Sequence, residues 1–142
     1  MMEIVITKIK RAFALTQDLF AFLEEPSLKL DLPELPSNTI AGQVWCMVGA
    51  RESYLKAIQN EQWRGFSCSL EDANSKPQVL EAFSRSRDAV IEFIENAKLS
   101  AMQLNFLLDL LEHEIQHHGQ LIRYMYGNKL GFPQSWKDRY TV

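Results

Sequence analysis

The sequence predicts an all-α fold, a four-helix bundle that occupies residues 1–142 as a single domain. Four stretches of about 20 residues each carry apolar side chains at the three- and four-residue spacing of an amphipathic helix. No segment alternates polar and apolar residues as a half-buried strand does. A chain of 142 residues that is 46% hydrophobic is long enough to bury a core of this kind.

The first two helices are separated by the segment from Ser27 to Pro36, which contains two prolines and is expected to be an extended connector. Apolar residues at helical spacing predict the first helix from Glu3 to Glu24, and Pro26 is expected to stop it. The second helix is expected from Thr39 to Asn60, with Ser37 or Asn38 as its N-cap.

The second helix contains two glycines and leads into a long connector. Gly42 and Gly49 are unfavourable inside a helix, so they indicate close backbone packing or unfilled space. The connector, residues 61–75, is long for a small domain, and such loops are often functional. We expect its aromatic residues Trp63 and Phe66 to cover apolar surface.

The third helix is expected to begin at Ser75 and Pro77, since proline is favoured in a first helical turn. Arg87 falls on the apolar stripe of this helix. Burial of Arg87 would require a carboxylate partner, either a structural one or one from a ligand.

The fourth helix begins with a capping box, Ser100 with Gln103, and is expected to run to Tyr126, with Gly127 as its stop. It is apolar over much of its circumference, which predicts that it is the most buried of the four helices. The tail, residues 131–136, is expected to be irregular and to pack its aromatic residues on the end of the bundle.

Composition excludes several classes of partner. The chain has 15 basic and 18 acidic residues, a net charge of -3, and no basic block, which disfavours nucleic acid. No apolar run approaches the ~18 residues that cross a membrane. Two cysteines and an N-terminus without signal-peptide features favour a cytoplasmic protein.

All three histidines lie in the fourth helix, at positions 113, 117 and 118. His113 and His117 are four residues apart, so a helix turns them onto nearly the same face, where two imidazoles can share one metal ion. His118 points about 100° away from His117 and is expected to be a surface or packing residue.

The same segment fits the zinc-protease pattern HExxH, with Glu114 as the general base. Such enzymes take a third ligand from further along the chain, and no His or Glu follows His118. They also align peptides on a strand edge, and no strand is predicted. We therefore disfavour the protease, and Glu114 is equally well explained as an ordinary helix residue.

Three features together resemble the DinB/YfiT-like family of small bacterial four-helix bundles. They are His-x-x-x-His-x-Gly-Gln at His113, His117, Gly119 and Gln120; the second-helix segment 39–51; and Gly131-Phe132-Pro133 with Trp136. The likeness spans nearly the whole chain. It implies a divalent metal ion, zinc or nickel, held by two histidines of the fourth helix and one of the second.

By this resemblance the ligands are His113 and His117, and the histidine of the second helix is replaced by Cys46. Cysteine is a good zinc ligand, so the site is either Cys46–His113–His117 or a weakened one in which Cys46 is a small buried residue. Gln43 lies one turn before Cys46 and is a candidate to orient a ligand or a bound water. The sequence leaves the role of Cys68 open, although a loop cysteine between serines is more often incidental.

The resemblance also implies a metal-dependent enzyme, a transferase or a hydrolase. Its reaction on a small electrophile would be the transfer of a small-molecule thiol, as in an S-transferase, or a thiol-dependent isomerisation. Arg51, Arg87 or Arg123 is a candidate to hold a carboxylate of the thiol. The family commonly forms homodimers. The alternative is a non-catalytic bundle with a weakened metal site, acting in binding or stress response.

Overall fold

The computed structural model describes all 142 residues and contains five α-helices and no β-sheet, which confirms the all-α prediction. Four helices are long and the last is short. Their bounds are Met2–Phe22 (α1), Ile40–Asn60 (α2), Lys76–Glu95 (α3), Ala101–Gly127 (α4) and Gln134–Tyr140 (α5). No helix is both long enough and apolar enough to span a bilayer.

The four long helices form a bundle in which each packs against two others. Helix α4 lies against α2 and α1, and α3 lies against the same two helices from the other side. Helices α1 and α2 are therefore diagonal to each other, which explains the length of the segment that joins them. That segment holds a short 3-10 turn at Glu25–Lys29, where an extended connector was expected.

The helix ends follow local capping chemistry. The predicted capping box is confirmed, because Ser100 and Gln103 each accept a hydrogen bond from the other's backbone N–H. Ser75 caps α3 as expected. At α2 the prediction of Ser37 or Asn38 is wrong: the side chain of Thr39 accepts the hydrogen bond, from the backbone N–H of Gly42 at 3.1 Å.

The tail is only partly irregular, because α5 was not expected. A helix of seven residues is too short to show a periodic apolar pattern. Its aromatic residue Trp136 was expected on the end of the bundle but is fully buried in the core. Its Nε1–H donates a hydrogen bond to the carbonyl of Leu15 at 2.6 Å.

Helix α2, and not α4, is the most buried helix. Twelve of its 21 residues are buried, against eight of 27 in α4. In α4, Leu108 and Ile115 remain 38% exposed despite their apolar character. Helix α2 packs against α3 and α4, and the connector 61–75 lies along part of its remaining surface.

A layer of polar residues crosses the middle of the bundle and separates two apolar clusters. Each long helix contributes one buried member: Thr16, Arg51, Ser86 and Glu114. The buried arginine is thus Arg51, and the prediction for Arg87 is wrong. Arg87 is part-exposed and pairs with its neighbour Asp88, because the stripe of α3 extends past the edge of the core at that position.

Candidate metal centre

The structure brings Cys46, His113 and His117 together in one cluster. The two histidines project from adjacent turns of α4 with ring centroids 4.5 Å apart, as the four-residue spacing predicts. Cys46 reaches them from α2, with its Sγ atom 3.7 Å from Nε2 of His113. One potential ligand atom from each residue lies within 4.8 Å of the other two.

These separations suit a tetrahedral metal ion. Ligand atoms at about 2.0 and 2.3 Å from zinc lie about 3.5 Å apart. The separation of 3.7 Å between Cys46 and His113 is close to that value, and no pair needs to approach by more than about 1.5 Å. The residues present therefore fit a divalent ion, and three protein ligands leave a fourth position open.

Gln43 fixes the orientation of His117. Its Oε1 atom is an acceptor only, so Nδ1–H of His117 donates to it. The lone pair of His117 is consequently on Nε2. Gln43 is held in turn, because its Nε2 donates to Oδ1 of Asn38 at 3.0 Å and that oxygen also accepts from the hydroxyl of Tyr124. Gln43 therefore has the geometry required for its predicted role of orienting a ligand. The sequence analysis did not predict that Asn38 and Tyr124 hold Gln43 in place.

His113 has a different environment. Its Nε2 atom faces Cys46, and its Nδ1 atom is buried with no hydrogen-bond partner. Buried polar atoms without partners are rare in folded proteins and call for an explanation. A metal ion bound to Nε2 would hold the His113 ring in place, so that no hydrogen bond at Nδ1 would be needed to orient it.

Burial sets the protonation of the three residues. It is the main cause that lowers the pKa of His117 to about 4, and the nearby His113 adds to the shift. Burial also lowers the pKa of His113 and raises the pKa of the Cys46 thiol. At neutral pH both imidazoles are therefore neutral and able to bind a metal ion, whereas the thiol must lose a proton to do so.

His118 lies apart from the cluster. It was expected to be a surface or a packing residue, and its burial confirms the packing role. It is fully buried against Trp136 of α5, with ring centroids 4.8 Å apart. Its Nε2 is 2.7 Å from the hydroxyl of Thr16, and the hydroxyl of Tyr140 lies 2.6 Å from its Nδ1.

Glu114 belongs to the polar layer of the core. Its side chain is completely buried and pairs with Arg51, and the hydroxyl of Thr16 donates to its Oε1 at 2.8 Å. Burial acts to raise the pKa of Glu114, but Arg51 outweighs that effect and the pKa is lowered. A carboxylate committed to a core arginine is not placed to act as the general base of a protease.

None of the three arginines considered for thiol binding lies free in the cluster. Arg51 stays in the core, where it also donates to the carbonyl of Phe83 at 3.0 Å. Arg87 pairs with Asp88, and Arg123 is exposed on α4, beyond the histidines. Cys68, in the connector, is likewise outside the cluster.

Aromatic side chains flank the cluster. Trp45, next to Cys46, packs on Phe66 of the connector with ring centroids 5.0 Å apart. Tyr54 packs on Trp63 at 5.1 Å, and its centroid is 6.4 Å from that of His113. The prediction that the connector aromatics cover apolar surface is therefore confirmed, although both rings keep one side in water.

The three cluster residues differ in their exposure. Cys46 and His113 are part-exposed, whereas His117 is only 7% exposed. Cys46 and His113 therefore form the side of the cluster that faces the surface.

Compared with known proteins, the chain matches no protein-family model, no curated protein and no solved structure. The resemblance to the DinB/YfiT-like family accordingly stays a prediction that rests on the motifs described above.

Proposed function

We propose that the protein binds one divalent metal ion, zinc or nickel, through Cys46, His113 and His117. The observation that carries the proposal is the convergence of these three ligand atoms from α2 and α4 within 4.8 Å. Gln43 supports it, since metal-binding histidines typically donate their second ring N–H to a protein acceptor. A thiolate and two imidazoles are a donor set that zinc readily accepts.

We further propose that the site is catalytic and joins a small thiol to an electrophile. The metal ion would supply positive charge at its open position, where the pKa of a thiol falls. The overall reaction forms a bond between the thiol sulfur and the electrophilic carbon. It breaks the S–H bond and the bond from that carbon to its leaving group, and the leaving group and the proton are released together. His113, His117 and Cys46 would position the ion, while Gln43 would hold His117 in the binding tautomer. The choice of a thiol rests on the family resemblance.

The second candidate is a non-catalytic bundle with a weakened metal site. It is favoured by the raised pKa of Cys46, which keeps the thiol protonated at neutral pH when no metal is bound. A protein of this kind would bind a partner or metal without turning over a substrate.

Metal content tests the metal site on which the catalytic candidate depends. The purified protein, loaded with zinc or nickel and dialysed, should retain about one ion per chain by elemental analysis. Cys46→Ser and His117→Ala should lose it, whereas Cys68→Ser, which changes the thiol outside the cluster, should not. Protein that retains no metal under any loading condition would rule out the enzyme.

Activity is then tested on the loaded protein. Zinc-loaded wild type should accelerate the reaction of a small thiol such as cysteine with 1-chloro-2,4-dinitrobenzene, and His117→Ala should react at the uncatalysed rate. Full metal occupancy without acceleration of this or related electrophiles would favour the non-catalytic candidate.

A further inference from the structure

Two of the three tryptophans lie at the surface, and both belong to the aromatic group beside the metal cluster. Trp45 and Trp63 are each 45% exposed, and Phe66 is 43% exposed, whereas Trp136 is fully buried. Trp45 and Phe66 are in contact, and exposed apolar side chains that adjoin one another commonly mark a binding surface.

The exposed aromatic rings lie close to the proposed metal ligands. Trp45 precedes Cys46 in α2, and Gly49 lies between these two residues on the helix surface, where the Phe66 ring covers it. On the other flank, Tyr54 separates Trp63 from His113. Aromatic surface is therefore within reach of a molecule bound at the open metal position.

Specific hydrogen bonds hold the connector that carries two of these rings. The hydroxyl of Ser53 donates to the carbonyl of Ser67 at 3.1 Å and accepts from its N–H at 3.0 Å. The carboxylate of Glu52 accepts from the backbone N–H of Ser69 at 2.9 Å. Because these contacts fix the connector against α2, the rings are positioned before any ligand arrives, which reduces the entropy lost on binding.

We propose that the site takes a substrate with an aromatic body, which packs on Trp45 and Phe66 while its polar head reaches the metal ion. The inference rests on the proposed metal site and adds the class of substrate. The exposed rings of Trp45 and Phe66 leave on the order of 200 Å² of apolar surface. A stable protein interface buries about 800 Å² on each partner, so the patch suits one small ring-containing molecule better than a second copy of the chain.

Two hydroxamates with the same metal-binding head test this inference on the zinc-loaded protein. Benzohydroxamate carries a phenyl ring, whereas acetohydroxamate carries a methyl group. By isothermal titration calorimetry, the phenyl compound should bind at least about tenfold more tightly. Trp45→Leu and Phe66→Leu keep apolar bulk but remove a ring, and each should reduce the preference about 2- to 10-fold.

Phe22→Leu is the matched control, because Phe22 is a similarly exposed aromatic residue at 47% and lies on α1. It should leave the preference unchanged. Equal affinity for the two hydroxamates, or a preference that survives both leucine variants, overturns the inference and leaves the metal site intact.

Two further outcomes are decisive. A dimer in sedimentation that dissociates in Trp45→Leu would assign the patch to a second copy and overturn the inference. Failure of the wild type to bind zinc, measured beforehand by elemental analysis, would overturn the proposed function and this inference together.

Discussion

Nδ1–H of His117 on α4 donates a hydrogen bond to Oε1 of Gln43 on α2. This contact joins the two helices that supply the cluster and leaves Nε2 of His117 as the only ring nitrogen with a free lone pair. It therefore links the packing of the bundle to the chemistry of the site, and it leads to the first prediction.

Gln43→Leu removes the acceptor and should weaken zinc binding about 10- to 100-fold in a competition assay with a chelating dye. Gln43→Glu keeps an acceptor oxygen and should retain most of the affinity. Gln116→Ala changes an exposed glutamine of α4 and should have no effect. An unchanged affinity in Gln43→Leu would show that the hydrogen bond does not support the site.

Glu114→Gln should destabilise the fold by about 3 to 5 kcal/mol in urea denaturation, because it leaves Arg51 charged and unpaired in the core. Glu81→Gln removes one partner of the exposed pair with Arg85 and should cost less than about 1 kcal/mol. The protease interpretation makes a different prediction, peptide cleavage that Glu114→Gln abolishes, and we expect no cleavage by the wild type.

The free energy of unfolding of the metal-free protein should fall as the pH is lowered from about 6.5 to about 4. Burial lowers the pKa of His118 to about 4, against 6.5 for the ordinary group. Over this range the unfolded chain binds a proton that the folded chain does not, so acid favours unfolding. The full loss from His118 is on the order of 3 kcal/mol.

The charged and titratable groups around His118 do not reverse this direction. Glu114 acts to raise the pKa of His118, whereas Arg51 and Arg139 act to lower it further. Tyr140 is a neutral hydrogen-bond partner at these pH values. Denaturation of His118→Gln at several pH values is the check. The variant should keep only the weaker dependence that comes from His113, His117 and the carboxylates, and an unchanged pH profile would contradict the assignment.

Gly49→Ala and Gly119→Ala should change stability in opposite directions. A methyl group at position 49 would overlap the Phe66 ring and lie 3.0 Å from Cβ of Cys68, whereas position 119 has no neighbour within 4 Å. Alanine gains up to about 1 kcal/mol in a helix, but overpacking costs about 1 to 3 kcal/mol. We expect Gly119→Ala to stabilise the protein and Gly49→Ala to destabilise it in thermal denaturation.

Repeating Gly49→Ala in a Phe66→Ala background tests the cause. With the ring removed, the alanine should become neutral or stabilising. If Gly49→Ala is equally harmful in both backgrounds, the Phe66 contact is not the reason for the glycine.

Local chemistry made the four long helices and two of their caps, at Ser75 and Ser100, predictable. The capping box at Ser100 and the spacing of His113 and His117 depend only on residues a few positions apart, whose geometry a helix sets by itself. The resemblance to a known family, and not any spacing, pointed to Cys46, because no local rule connects residues 67 positions apart.

Two of the predictions that failed concern how the helices are rotated against one another. An apolar stripe shows which face of α3 turns inward but not how far the core extends, so Arg87 was expected inside and Arg51 was not. In the same way, the apolar side chains around much of α4 suggested that it is the most buried helix. Neighbouring segments in fact surround more of α2. Helix α5 escaped prediction because tertiary contacts of Trp136 stabilise it more than its own short sequence does.

The sequence by itself determined that this chain forms four long helices and that α4 presents two imidazoles on one face. Only the tertiary structure decided that Cys46 meets those imidazoles, that Gln43 orients His117, and that Glu114 is committed to Arg51. The physical reason is that periodicity and capping act within one helix, whereas ligand convergence depends on the register and rotation of separate helices. Those are set by packing throughout the core.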